Sequence, residues 1–162
     1  MNTAADSAPI PDLPRPPSAR GRALILITFV LLYGVACWLP AVHLAGRREA
    51  WAGVEVMVMG PWGLRFGQLG WFANLTALIA LRCVMTGRTL ATIVLTIASI
   101  ILGLHALWLP GRVIPLGPEE FNEVRVISLS SGYYVWMAAL VVPLLAALLL
   151  RQTHPRVRSI DL

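Results

Sequence analysis

The sequence predicts an all-α membrane protein, a four-transmembrane-helix bundle with a small two-stranded β cap. Three observations predict it. Four long apolar segments, residues 23–39, 66–81, 90–109 and 133–150, contain no Asp, Glu or Arg. Each is close to the roughly 20 residues that a span of the hydrocarbon core needs. The second reaches that length when Arg82 snorkels and the span runs on to Met85. The chain is 57% hydrophobic and 13% charged over 162 residues, against about 25% charged in soluble domains. Its basic residues are all arginine and cluster between the segments.

Residues 1–22 come first, with Pro9, Pro11, Pro14, Pro16 and Pro17 among Ala, Ser and Asp. Such a stretch buries too little apolar surface to fold and reads as a disordered cytoplasmic tail. The first span, 23–39, follows as an uncleaved helix. Gly34-Val35-Ala36-Cys37 has the look of a lipoprotein cleavage box with Gly where Leu is usual. The long proline-rich stretch before it is unlike a signal peptide's compact basic start, so lipidation of Cys37 stays the minor alternative.

The second span, 66–85, and the third, 90–109, are joined by a tight inner turn around Thr86-Gly87. The fourth, 133–150, carries Pro143 midway, which removes a backbone hydrogen bond and kinks the helix. Residues 151–162 form a short basic tail, with His154-Pro155 stopping the helix. The transmembrane domain therefore covers residues 23–150.

The outer loops, residues 40–65 and 110–132, are longer. Val54-Glu55-Val56-Met57-Val58-Met59 and Val124-Arg125-Val126-Ile127-Ser128-Leu129 are β-branched runs bounded by turn formers, the pattern of short strands. Paired, they would cap the bundle and bring Glu55 near Arg125. An interfacial helix over residues 47–59 is the competing reading of the first loop. Trp38-Leu39-Pro40 and Trp108-Leu109-Pro110, with Gly70-Trp71-Phe72 and Gly132-Tyr133-Tyr134, hint at a duplication into two parallel helical hairpins. Chance matches in apolar sequence explain the same triplets.

Arginine placement gives sidedness. With cytoplasmic termini the inner side holds eight Arg against three Asp, and the outer side five Arg against five Glu. That bias puts both termini on the cytoplasmic side, and the lysine-free, alanine- and leucine-rich composition suggests a bacterial inner membrane. The six tryptophans then fall toward the outer interface, where amphipathic rings sit. In this setting the net charge of +5 reports topology, and nucleic acid is not an expected partner. Cys37 and Cys83 lie near opposite ends of their spans and are expected to stay unpaired.

Thr92, Thr96, Ser99 and Gly103 share one face of the third helix, and Ala73 and Ala77 form a small-xxx-small pair on the second. Both faces are assigned to helix packing. The alternative is Thr and Ser bonding their own helix carbonyls while facing lipid. Asn74 is read first as an interhelical hydrogen-bonder. Its functional alternative is a pocket shared with His105 and Tyr134. Trp71, Trp108 and Trp136 complete the interaction or pocket candidates, with Glu119, Glu120 and Glu123. These carboxylates follow Gly117-Pro118 and fit the first turn of a short helix. The His and Glu positions lack ligand spacing, so neither metal nor cofactor is expected.

Residues 67–88, with Gly-x-x-Gly-Trp-Phe-Ala-Asn-Leu leading to Thr-Gly-Arg, resemble a group of small uncharacterised bacterial inner-membrane proteins. The Gly132-Tyr-Tyr-Val-Trp-Met-Ala opening of the fourth span is similar to theirs too. That group commonly has Pro where this chain has Leu75. The resemblance implies four helices and no assigned activity.

The expected role is non-enzymatic: a membrane accessory or interaction protein whose outer face engages another membrane protein or a second copy. Immunity to a membrane-acting toxin is one version. A small transporter or channel with a polar path through Asn74, Thr76, Thr92, Thr96 and Ser99 is the alternative. A lipid-modifying enzyme at the outer interface, using His105, Glu119 or Glu120, ranks third.

Overall fold

A computed structural model describes residues 18–115 and 123–152. Residues 1–17, 116–122 and 153–162, and with them Glu119 and Glu120, lie outside the described residues. The chain is mostly helical, with three helices long and apolar enough to cross a membrane and a small antiparallel sheet. Helix α1 (Ala19–Trp38) begins four residues before the apolar segment. Ser18 caps it, its hydroxyl accepting from the Gly21 N–H at 3.2 Å, which satisfies one of the orphan donors of the first turn.

Helix α3 (Phe72–Met85) is a correction to the 66–85 reading. Residues Gly60–Phe66 form a 3-10 helix that ends at Gly67, whose φ of 73° turns the chain left-handed. The apolar content of 66–71 therefore belongs to a turn. Helix α4 (Thr89–Leu104) follows a turn with Gly87 at φ 76° and runs into a 3-10 turn, His105–Trp108. Helix α5 (Ser131–Gln152) contains Pro143.

The first outer loop folds differently from the expected strand. Val54–Met59 is helical, within α2 (Gly53–Met59). Glu55 explains the choice: its Oε2 accepts from the Ala52 N–H at 2.7 Å, the carboxylate half of a capping box. The expected pairing of 54–59 with 124–129, the route by which Glu55 was to meet Arg125, is thereby overturned. The expected second strand is present, over Glu123–Leu129, but it pairs with other segments, and among the described residues the sheet has four strands in the order β2-β1-β4-β3, all antiparallel. β1 is Pro40–Leu44, β2 Trp51–Ala52, β3 Val113–Pro115 and β4 Glu123–Leu129. Central β1 and β4 pair with Val42 opposite Leu129 and Leu44 opposite Val126. Their inner faces, with Val42, Leu44 and Val126, form a second apolar core above the helix ends.

Helix pairing also departs from two sequential hairpins. α3 packs mainly on α4, and α1 on α5, while α5 also contacts α3 and α4. The tight turn between α3 and α4 enforces the first pair, and the sheet draws together the ends that α1 and α5 share. Gly132 lets them meet: a Cβ there would lie 2.8 Å from the Leu39 carbonyl oxygen and 2.9 Å from that of Pro40.

The helices are apolar outside and small or polar inside. Leu24, Leu31, Leu78, Val94, Ile101 and Leu149 are exposed, whereas Thr92, Thr96 and Ser99 are fully buried. Ala73 and Ala77 face the same interior, and Gly103 is buried near Met137 and Leu140. Ser99 Oγ donates to the Ala73 carbonyl across the α3–α4 seam at 2.7 Å. Thr92 bonds its own helix at the Arg88 carbonyl, 3.0 Å. This distribution reverses that of a water-soluble bundle, where apolar stripes face inward.

Candidate functional site

The sheet, α2 and the 3-10 helix roof a cavity of about 190 Å³. Its floor is the C-terminal end of α1 (Tyr33, Ala36, Cys37), the start of α3 (Trp71, Asn74) and the start of α5 (Tyr133, Trp136). Val42, Val56 and Val126 contribute to the roof. The wall is almost wholly apolar, and none of the described residues that line it is charged or a histidine. Met57, Met59 and Trp62 line it while remaining partly open to the outside.

One polar node stands in this wall. Asn74 Oδ1 accepts from the Tyr33 hydroxyl at 2.9 Å and from Trp136 Nε1 at 2.8 Å. An indole N–H only donates, so the amide oxygen must face Trp136. The amide nitrogen then points its two N–H groups elsewhere, without a hydrogen-bond partner among the described residues. The node joins α1, α3 and α5. The Tyr33 oxygen also lies 3.4 Å from Met57 Sδ, and Trp71 Nε1 donates to the Met57 carbonyl at 3.0 Å. Those two contacts fix α2 over the cavity.

The pocket expected from Asn74, His105 and Tyr134 is only partly assembled. Asn74, Trp71 and Trp136 line the cavity. His105 does not; its Nδ1 lies 2.7 Å from Oε1 of Gln68, which does. Tyr134 is exposed, and its neighbour Tyr133 takes the inward position, donating to the Gly103 carbonyl at 3.2 Å. A helix puts successive residues about 100° apart, so adjacent tyrosines cannot both face the cavity. Trp108 is exposed and stacks on His105. Glu123 opens β4 opposite Pro115 and is exposed, so it belongs to a strand and not to a helical first turn.

Tyr33, Gln68 and Met57 are among the cavity residues that the sequence reading did not single out as site candidates. Tyr33 had a usable signal, a phenol within an apolar span four residues before Cys37. The others carry none. Among the described residues no group of His, Cys, Asp and Glu is placed to hold a metal ion. The lining pairs no nucleophile with a base, which general acid–base or covalent chemistry requires. Its composition suits binding: apolar walls with a few convergent polar groups. The chain matches no family model, no curated protein and no solved structure.

Proposed function

We propose that the chain is a four-helix protein of the bacterial inner membrane, both termini cytoplasmic, that works by binding through its outer cap. It acts as an accessory or interaction protein and carries out no chemistry of its own. The four-span reading draws on α3, which is short but exposes Leu75, Leu78 and Ile79 as the longer helices expose their own apolar residues. Exposed Arg82 and Arg88 flank the α3–α4 turn, in keeping with a cytoplasmic side there.

The observation that carries the binding reading is the state of the seam. Thr92, Thr96 and Ser99 are 0% exposed and line no part of the cavity, so three of the five polar residues of the alternative transport path are enclosed in helix packing. Room for another molecule lies beneath the sheet. Immunity to a membrane-acting toxin is one form such binding takes, because it needs a surface and no reaction.

Photo-crosslinking in living cells tests the reading, with a benzophenone amino acid at exposed Ile127 on the cap or at Val94 on the helix exterior. A discrete protein adduct at Ile127 and none at Val94 is expected. An adduct of about twice the chain's mass, 17.6 kDa, identifies a second copy. Adducts at Val94 alone, or the C-terminus exposed outside the cell, would overturn it.

A further inference from the structure

The cap cavity has an occupant that its chemistry specifies. We infer that it is a lipid-binding site, taking a hydrocarbon chain segment of an ester-linked membrane lipid under the sheet, with an ester oxygen held by the Asn74 amide N–H. This rests on the membrane reading above but not on the identity of any protein partner.

Size and wall come first. An apolar cavity of about 150 Å³ stays dry and admits a benzene-sized body, and this one is about 190 Å³ with a nearly continuous apolar wall. Left empty, its lining would forfeit dispersion contacts on one side. Water is a poor filler because it needs two to four polar partners. Here the free side-chain donors are few, among them the amide N–H groups of Asn74 and of Gln68 and the Cys37 thiol.

The polar node selects the head of the ligand. Tyr33 and Trp136 both spend their hydrogens on Asn74 Oδ1, so the node offers a ligand the amide N–H groups alone. A molecule with acceptors only fits, and an ester carbonyl is such a group, joined directly to a chain. A charged amine would find no carboxylate among the described residues of the wall.

The mouth selects the source. Met57, Met59 and Trp62 form its rim, and Val58 and Leu64 on the same stretch are also exposed. Arg65 lies over the Trp62 ring at 5.3 Å. Exposed apolar residues interleaved with Trp and Arg suit the headgroup boundary of a bilayer. A lipid there reaches the cavity sideways, without crossing water.

Val126 makes the test specific. It is 0% exposed and lines the cavity roof, so lipid merely surrounding the bundle does not touch it. The protein is reconstituted in vesicles of phosphatidylethanolamine and phosphatidylglycerol containing a trace of phosphatidylglycerol with a diazirine in its chain. After irradiation, labelled residues are mapped. Labelling of Val126 and Val56 is expected, together with lipid-facing Leu31 and Val94. Val56→Trp should fill the space and abolish Val126 labelling. Asn74→Asp keeps an acceptor for Tyr33 and Trp136 but removes the amide N–H groups, and should lower labelling about fivefold, the loss of one neutral hydrogen bond. Unlabelled diacyl lipid should compete, and hexadecane, which has no acceptor, should compete about fivefold less well.

Label at Leu31 and Val94 but not at Val126 overturns the lipid site and leaves the membrane reading intact. No label on any helix exterior overturns both. Equal labelling of Val126 in the wild type and in Val56→Trp, or in the wild type and in Asn74→Asp, also refutes the site as drawn. Displacement by palmitate but not by diacyl lipid would assign the cavity to free fatty acid and refute the ester-lipid assignment.

Discussion

Ser99 Oγ lies 2.7 Å from the Ala73 carbonyl oxygen, a hydrogen bond from α4 to α3 in a seam sealed on every side. Lipid supplies no hydrophobic drive between helices, so close packing of small residues and bonds of this kind hold such a pair. Three residues earlier, the Thr96 hydroxyl is buried with no hydrogen-bond partner among the described residues. Two hydroxyls on one face thus have opposite energetic signs.

Replacing Ser99 by Ala should therefore cost about 0.6 to 1.7 kcal/mol, the range of interhelical hydrogen bonds in membranes. Thr96→Val should be neutral or mildly stabilising, since it removes a buried group that bonds nothing and preserves shape. Unfolding of both variants in mixed micelles checks the pair. Equal losses would show that the seam depends on side-chain volume alone.

The Asn74 node predicts coupling between three helices. Tyr33→Phe should cost about 1 kcal/mol, one hydrogen bond. Asn74→Leu should cost about 2 kcal/mol or more, because it strands the Tyr33 hydroxyl and the Trp136 indole N–H together. The double variant Tyr33→Phe/Asn74→Leu should fall short of the sum. A double-mutant cycle on thermal unfolding measures the difference.

Close backbone approach makes Gly132 sensitive. Gly132→Ala pushes a methyl against the Leu39 and Pro40 carbonyls and should cost about 1 to 3 kcal/mol, the usual range for overpacking. Gly34 supplies the control: it lies within α1 with nothing near its missing Cβ. Gly34→Ala should stabilise by about 0.5 to 1 kcal/mol.

The two thiols report on opposite ends. Cys37 is in the last turn of α1 beside the cavity, and Cys83 near the far end of α3, beside the α3–α4 turn. Oxidation of the purified chain should leave both free, as read by mass after alkylation. An intrachain disulfide would require Cα atoms within about 7 Å and would refute this helix arrangement.

Helix positions and the buried face of α4 were legible because they rest on local rules. A span declares itself by apolar length, and Thr92, Thr96 and Ser99 declare a face by helical spacing. Residues 53–59 were misread because alternation and helical period are indistinguishable in so short an apolar run; one carboxylate, Glu55 on the Ala52 N–H, decides the matter. β1 escaped notice since Pro40 opens it, although a strand's first residue tolerates proline. The cavity was illegible for a different reason. Its wall is drawn from α1, α2, α3, α5 and the sheet, and no local pattern encodes a void between distant segments.

α3 has 14 residues, so at 1.5 Å per residue it is about 21 Å long, against a hydrocarbon thickness of about 30 Å. Its neighbours at the bundle rim are longer. A bilayer around the proposed four-span bundle would have to thin on one flank or let water and headgroups sink toward the helix ends. That flank carries Trp71 and Asn74, so the dimple would lower the polar boundary toward the cavity mouth. In the proposed four-span arrangement the shortest spanning helix would thereby make the surrounding membrane asymmetric, and lipid with short chains should gather on that side.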